Sequence, residues 1–311
     1  MTAAQNTHLP SFAIIICSRG RRDILTATIH SLRSQSIQAC QLLVVVTGPE
    51  DIDEESIRTT GPPNVEIVFS EPGLTRQRNA GIAHVAGEIK YVCFFDDDIE
   101  LHRDYIRHGL KFLEEVPTVM AFSGAMLRER CASHEEARAL VDAFDPAAAN
   151  PFAGRFRHRG RHWILHGCNM VIRASILAYE RFDERLPLYS YYEDYDISIR
   201  IRRYGYVGRF ALCAGVHLQA ASGRVSGQRL GYSQIANNWY FLKKGICHLT
   251  FPLSYIRFIY LAARLVIRNA VISLRNFNHG EAPRLLKGNL LALRDILCGS
   301  SAPENILQLP S

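Results

Sequence analysis

Apolar and polar positions follow two regimes along this chain. In its N-terminal third, short continuous apolar runs alternate with amphipathic stretches. Phe12–Cys17 predicts a buried strand, and Asp23–Ser34 carries Ile24, Leu25, Ile29 and Leu32 on one side of a helix. Leu42–Val46 predicts a second strand, and Val65–Phe69 a third, after the Gly61-Pro62-Pro63 break. Leu74–Val85 reads as helix and Tyr91–Phe95 as strand, with helical spacing again from Leu101. Strands that alternate with helices predict a parallel α/β sheet.

The second half reads differently. Ser133 with Glu136 forms a capping box for a helix across the 130s and 140s. Arg155, Arg157, Arg159 and Arg161 recur at period two, as on one face of a ribbon. That face is either solvated or a basic flap for an anionic acceptor such as a lipid-linked pyrophosphate. Trp163–Ile172 is strand-like, Glu193–Tyr204 helical, and Tyr206–Ala211 predicts an edge strand. From about Gly231 the pattern is helical only. The chain therefore divides into a flexible N-terminus over 1–10, an α/β domain over 11–230 and a helical appendage over 231–311.

Composition changes the picture at two points. The eight cysteines show no paired spacing, and Cys17, Cys93 and Cys213 sit in apolar runs, where Cys behaves as a small buried hydrophobe. With a polar segment over Met1–Pro10 and no apolar signal core, this predicts a reducing, cytoplasmic setting. The net charge of +6 is unevenly placed. Residues 243–295 hold nine Lys/Arg against Glu281 and Asp295, while the remainder has 27 basic and 28 acidic residues. A basic tail on a near-neutral body predicts an anionic membrane surface as partner, on the inner face of the cell membrane, and no nucleic acid.

Within that tail, Phe251–Leu274 is apolar enough to raise a membrane span, yet Arg257, Arg264 and Arg268 interrupt it. Each would cost about 2.5–3.5 kcal/mol near a bilayer centre. On a helix these three and Arg275 fall within an arc of roughly 40°. Such a helix lies on anionic lipid, or packs its apolar side inward with the arginines in water.

The chemistry centres on Asp96-Asp97-Asp98, which ends the run Ile89–Phe95. Adjacent carboxylates repel and resist desolvation. A divalent cation removes that conflict, because hard cations take carboxylate oxygens and are completed by substrate phosphates. In an extended segment Asp96 and Asp98 point one way and Asp97 the other. The alternative is a loop or helix N-cap. It loses ground because α/β sheets bind ligands beyond the carboxyl ends of their strands.

Other elements accompany the triplet. Upstream, Ile14–Cys17 runs into Ser18-Arg19-Gly20-Arg21, a basic turn before a helix, suited to a phosphate or nucleotide. Arg76-Gln77-Arg78-Asn79-Ala80-Gly81 lies between. Gly167-Cys168-Asn169-Met170, Phe182-Asp183-Glu184-Arg185-Leu186 and Tyr192-Glu193-Asp194-Tyr195-Asp196 follow. In this order the residues resemble the family 2 glycosyltransferases, inverting enzymes of the GT-A fold that use nucleotide sugars. The resemblance covers about residues 11–220, with a nucleotide-sugar half near 11–100 and an acceptor half near 101–230.

That resemblance implies a mixed, mostly parallel central sheet flanked by helices, with a C-terminal helical appendage. It implies that Ser18, Arg19 and Arg21 hold the nucleotide and that Arg78, Asn79 and Gly81 lie beside the nucleotide-sugar. Asp96 and Asp97 join that group. Asp98 and Asp96, as the DxD element, bind Mg2+ or Mn2+ at the diphosphate. The ED element implies Asp194 as catalytic base, with Glu193 beside it; carboxylates in a first helical turn also suit the helix dipole. The chemistry fits these types: a diphosphate leaving group needs cations, and an inverting displacement needs a carboxylate to take the acceptor proton.

His217, after Ala214-Gly215-Val216, is either a further metal ligand or hydrogen-bonded structure. Trp163 and His166 read as lining of an acceptor cleft, and Trp163, an aromatic beside a strand, alternatively as core. Where the family often carries an aspartate after its second strand, Thr47 stands here, so the nucleobase is not implied. The expected partners are a nucleotide-diphosphate sugar donor and a saccharide or lipid-linked acceptor, as in bacterial surface-polysaccharide assembly. A sugar nucleotidyltransferase would share the α/β plan but needs a glycine-rich start that is absent, and a silent nucleotide-sugar binder would not need Asp194.

Overall fold

The computed structural model describes residues 10–148, 156–158, 164–220, 225–246, 253–275 and 280–310. The readings placed on Trp163, Arg155, Arg159 and Arg161 lie outside these residues. The chain forms two compact units: Met1–Pro72 with Arg76–Arg181 and Ile201–Gly223, and Gly73–Thr75 with Phe182–Arg200 and Arg224–Ser311.

The first unit is built on a mixed sheet. Its strands are β1 (Phe12–Cys17), β2 (Gln41–Val46), β3 (Val65–Phe69), β4 (Tyr91–Asp96), β5 (Ile99–Leu101), β6 (Val119–Glu129), β7 (Phe156–Arg157), β8 (Asn169–Arg173) and β9 (Tyr206–His217). The order is β3-β2-β1-β4-β8-β6-β9-β5, with β7 also on β9. The pairs β3-β2, β2-β1 and β1-β4 are parallel, and β8 then runs antiparallel to both β4 and β6. Because β1 and β2 are covered on both faces, they read as unbroken apolar runs rather than alternating ones.

Helices α1 (Arg22–Ser31), α2 (Glu54–Thr60), α3 (Leu74–Ala83), α4 (Tyr105–Glu115), α5 (His134–Asp142) and α6 (Ala174–Leu177) follow the early strands. Leu25 and Ile29 of α1 and Leu110 and Leu113 of α4 join Ile14, Ile16, Val44, Cys93 and Phe95 in one core. Phe112, Phe122 and Phe210 close that core with ring contacts; Phe112 stacks on Phe210 at 4.1 Å between centroids. At α5 half of the expected capping box forms: Glu136 N donates to Ser133 Oγ at 3.1 Å, whereas the Glu136 carboxylate accepts from Ala132 N at 2.9 Å, one residue before the cap.

Two expectations need correction. Leu101 does not open a helix. It ends β5, which pairs antiparallel with β9, and α4 starts only at Tyr105. Pairing to a distant strand here overrides local helical spacing. The expected edge strand Tyr206–Ala211 is instead a 12-residue strand with β6 on one side and β5 and β7 on the other. Its small residues Gly208, Ala211, Ala214 and Gly215 hide the strand from an apolar-run reading. Register shifts in the β6–β9 pairing, between Val119/Ala121, Gly124/Ala125 and Met126/Arg128, mark β-bulges there.

The second unit contains α8 (Gly227–Lys244), α9 (Leu253–Arg275), α10 (Ala282–Leu297) and the first eight residues of α7 (Glu193–Ile201). Tyr232, Ile235, Ala236, Ala262, Ala292 and Ile306 form its core. The buried residues of α9 are small or polar: Ser254, Ala262, Asn269 and Ser273. Packing with the whole apolar side inward is therefore not what α9 does. No described helix is long and apolar enough to cross a membrane.

Candidate active site

β1, β2 and β4 are parallel, so their carboxyl ends share one edge of the sheet in the first unit. At that edge the three aspartates differ in surroundings. Asp97 is 4% exposed, Asp98 1%, while the Asp96 side chain is 30% exposed. Strand alternation turns Asp97 onto the β1–α1 turn. Its carboxylate accepts from Ser18 Oγ at 2.5 Å and from Arg21 Nη1 at 2.8 Å, and Thr28 Oγ1 donates to its carbonyl at 2.7 Å. Burial pushes the Asp97 carboxyl up to about 6, against the pull of Arg21 and with help from the neighbouring Asp98 and Asp96 charges.

Asp96 and Asp98 face the end of β9. His217 Nε2 lies 3.0 Å from Asp98 Oδ1 and 3.8 Å from Asp96 Oδ2. Asp98 Oδ2 accepts from Ala220 N at 2.8 Å. Burial would raise the Asp98 carboxyl, but the His217 and Ala220 hydrogen bonds and the His217 charge hold it below the usual range. Burial would lower His217, but the Asp98 hydrogen bond and the Asp96 and Asp98 charges outweigh it and raise the imidazole. Among the described residues, one ligand atom from each of Asp96, Asp98 and His217 lies within 4.8 Å of the others. Two carboxylates and an imidazole this close fit a divalent cation, which would displace the proton that the carboxylates favour on His217.

α3 supplies the wall beside Asp96. Arg78 is buried; its Nη2 donates to Gly167 O at 2.8 Å and lies 3.3 Å from Asp96 Oδ1. Gln77 Nε2 donates to Ser18 O at 2.9 Å and Val45 O at 3.0 Å, tying α3 to the ends of β1 and β2. Gly81 is where the helix meets the sheet: a Cβ there would stand 2.7 Å from Ile15 Cγ2. Asn79 is half-buried and Arg19 is exposed. Arg157, of the arginine ladder, is exposed on β7.

Sequence reasoning missed Asp51, which lies four residues beyond Thr47. Its carboxylate accepts from Gly20 N at 2.6 Å, Thr47 Oγ1 at 2.5 Å and Thr47 N at 3.1 Å. An acidic side chain therefore still stands at the end of β2, bound to the turn after β1. Burial would raise its carboxyl, and the Thr47 and Gly20 hydrogen bonds hold it below the usual range. Thr28 and Gln77 were missed for a common reason: each is a polar residue in an amphipathic helix, where its inward aim is invisible in one dimension.

In the second unit, Glu193 is buried and Asp194 half-buried at the start of α7. Asp194 Oδ1 accepts from Tyr195 N at 2.8 Å. The chain before it is strained: Leu188, Ser190 and Tyr192 all hold positive φ, at 58°, 52° and 69°. Each such residue costs on the order of 1–3 kcal/mol and persists only where the surroundings enforce it. Here Ser190 Oγ donates to Leu186 O at 2.6 Å and Asn237 Nδ2 donates to Tyr191 O at 2.8 Å.

Comparison with known proteins agrees with this geometry. A family model described as glycosyl transferase family 2 matches residues 13–179, more than half of the chain. The amylovoran biosynthesis glycosyltransferase AmsB of Erwinia amylovora is 25% identical over 210 residues, 63% of this chain and 65% of that protein. Thus the chain spans less than two thirds of the length of that relative. Among solved structures, the mannosyltransferase PcManGT of Pyrobaculum calidifontis, in complex with GDP-Man and Mn2+, has a TM-score of 0.53 at 15% identity, covering 93% of this chain and 88% of that one. GalNAc-T7, solved with UDP, GalNAc and Mn2+, gives 0.51 at 12% identity over 69% of this chain and 44% of that one. These likenesses place the fold in the GT-A class. With its parallel β1, β2 and β4 ending at an acidic edge, the chain belongs to glycosyl transferase family 2.

Proposed function

We propose that this protein is an inverting glycosyltransferase that moves a sugar from a nucleotide-diphosphate sugar to a saccharide or lipid-linked acceptor in bacterial cell-surface polysaccharide synthesis. The observation that carries this reading is the convergence of Asp96, Asp98 and His217 at the carboxyl edge of the sheet. The amylovoran biosynthesis glycosyltransferase of Erwinia amylovora among its relatives supports this reading.

In this reading Asp98, Asp96 and His217 hold Mg2+ or Mn2+, which when bound stabilises the negative charge that develops on the departing diphosphate. Arg78, fixed by Gly167 O and Asp96, adds a permanent positive charge beside that group. Asn79 and exposed Arg19 form the rest of the donor wall, while Gly81 acts behind it by letting α3 approach the sheet. Ser18, Arg21 and Asp97 form a buried cluster that fixes the turn on which the nucleotide rests. Asp194 accepts the proton from the acceptor hydroxyl as that oxygen attacks the anomeric carbon. Asp194 suits this role better than Glu193 because it is the less buried of the two. The enforced positive-φ run just before it limits the freedom of the segment that carries it.

The test is single-turnover transfer with a donor chosen by a thermal-shift screen of nucleotide sugars with Mn2+. Asp194→Asn is expected to retain donor binding and lower transfer by about 10²–10⁴-fold. Asp98→Ala is expected to lose metal-dependent donor binding as well. Full-rate transfer by Asp98→Ala in the presence of a chelator would overturn the reading.

A further inference from the structure

α9 is an unusual helix because its side chains are distributed against the common rule. Its inward side carries Ser254, Ala262, Asn269 and Ser273. Its outward side carries Ile256, Tyr260, Ile267 and Leu274, at 58%, 66%, 62% and 74% exposure, with Ala263 and Val271 completing the ridge. At 100° per residue these six fall within an arc of roughly 80°. The arginines Arg257, Arg264, Arg268 and Arg275, all exposed, run along one flank of that ridge.

This orientation is fixed by chemistry on the inward side. Asn269 and Asn289 are buried at 1% and 0% exposure, and Asn269 Nδ2 donates to Asn289 Oδ1 at 2.8 Å. Asn289 Nδ2 in turn donates to Gly231 O at 2.7 Å, so one chain of hydrogen bonds links α9, α10 and α8. Turning α9 to bury the isoleucines would break that chain and leave the buried Asn289 Oδ1 without its donor. The exposed apolar ridge is thus the stable state of the helix, and a ridge of this kind marks a binding surface.

Charge selects the occupant. Within the second unit, from Arg224 to Gly280, the sequence holds eight Lys/Arg and no Asp or Glu. A second copy of the chain would bring four more arginines against the first four in a symmetric contact. A surface that is apolar within and negative at its boundary suits both components of the patch.

We propose that the outward face of α9 docks the protein in the plane of an anionic lipid bilayer. The ridge of Ile256, Tyr260, Ile267 and Leu274 enters the acyl boundary, and Arg257, Arg264, Arg268 and Arg275 meet the lipid phosphates. Tyr260 suits the interface because its ring is apolar and its hydroxyl wet. The helix lies flat, since its other side is occupied within its own unit. Docking needs no donor, acceptor or metal, so it stands or falls separately from sugar transfer.

The test is flotation of the full chain with vesicles of phosphatidylcholine alone or with a third replaced by phosphatidylglycerol, at low and high salt. Flotation only with the anionic vesicles, weakened by salt, is expected. Arg264→Gln with Arg275→Gln should weaken partitioning about 30-fold, from about 1 kcal/mol per basic residue. Ile267→Ser with Leu274→Ser should abolish flotation while leaving the thermal midpoint in place, because both side chains are exposed. Absence of flotation at low salt overturns the proposal, as does flotation that neither variant pair reduces. A concentration-dependent dimer that Ile267→Ser dissolves, without vesicle binding, assigns the face to a second copy and also overturns it.

Discussion

His217 Nε2 and Asp98 Oδ1 are 3.0 Å apart although 119 residues separate them in sequence. The contact joins the end of β9 to the acidic segment that follows β4. It brings an imidazole to the Asp96 and Asp98 carboxylates. Replacing His217 by Ala removes one of the three candidate ligand groups while leaving Asp96 and Asp98 in place. Mn2+ affinity, read by isothermal titration, should fall roughly 10–100-fold. Unchanged affinity would show that His217 serves only as a hydrogen-bond partner of Asp98.

Asp97 gives a prediction about stability rather than ligand binding. Asp97→Ala leaves the Ser18 hydroxyl and the Arg21 guanidinium without their shared carboxylate. Removing one partner of a fully buried pair costs about 3–5 kcal/mol; Arg21 is half-buried and keeps Asp98 Oδ2 at 3.6 Å, so the loss should fall below that range. Asp97→Asn keeps an oxygen and the shape of the side chain, so it should cost less than Asp97→Ala. Urea unfolding of the two variants checks this order; equal and small losses would mean that the cluster contributes little to the turn.

Acid sensitivity should arise in the second unit. Lys244 Nζ donates to Asp183 Oδ2 at 2.5 Å and to Asp196 Oδ1 at 2.8 Å, and Tyr240 Oη donates to Asp183 Oδ2 at 2.7 Å. Burial would raise the Asp183 carboxyl, but these Lys244 and Tyr240 hydrogen bonds hold it below its ordinary value of 3.8. A carboxyl depressed in the folded state contributes stability that is complete above its unfolded value and is lost as pH falls through the folded one. The Asp183 contribution should therefore be intact at pH 5 and above and decline below about pH 4. Lys244→Met should lower stability at pH 7 by about 1 kcal/mol, since the ammonium is partly exposed and Asp196 keeps Arg200, and flatten this acid-side decline. Unfolding midpoints measured from pH 3 to pH 7 distinguish that pattern from a uniform loss.

Much of the first unit was legible in the sequence because its strands are buried on both faces and bounded by turn residues. Phe12–Cys17, Leu42–Val46 and Tyr91–Phe95 stand out as apolar runs for that reason. β6 and β9 were not legible in this way. β6 was not expected at all, and β9 was cut at Ala211, since bulges and small residues break the periodicity on which such readings rest. At the site, the acidic triplet was visible as an electrostatic conflict. Asp51 was not, because only the fold returns its carboxylate to Gly20 N and Thr47. For α9, the arginine arc was readable from spacing. Which side faces inward was decided instead by Asn269 and Asn289, two residues that pattern reading assigns to the surface.

The α8–α10 crossing in the second unit depends on two glycines. A Cβ on Gly288 would stand 2.0 Å from Gln228 O and 2.6 Å from Tyr232 N, and a Cβ on Gly231 would stand 2.1 Å from Leu285 O. All three obstacles are backbone atoms, so no side-chain rotation can relieve the clash. The helices must separate, and the bond from Asn289 Nδ2 to Gly231 O is at the same crossing. Ala is favoured over Gly within a helix by about 1 kcal/mol, so an unconstrained site would gain from the change. Here Gly288→Ala should destabilise by at least 1–3 kcal/mol, the usual range for overpacking, and expose the α9 amides to exchange. Hydrogen exchange at Asn269 and Asn289, together with the unfolding midpoint, checks both parts. A stabilised Gly288→Ala protein would show that the helices do not approach this closely.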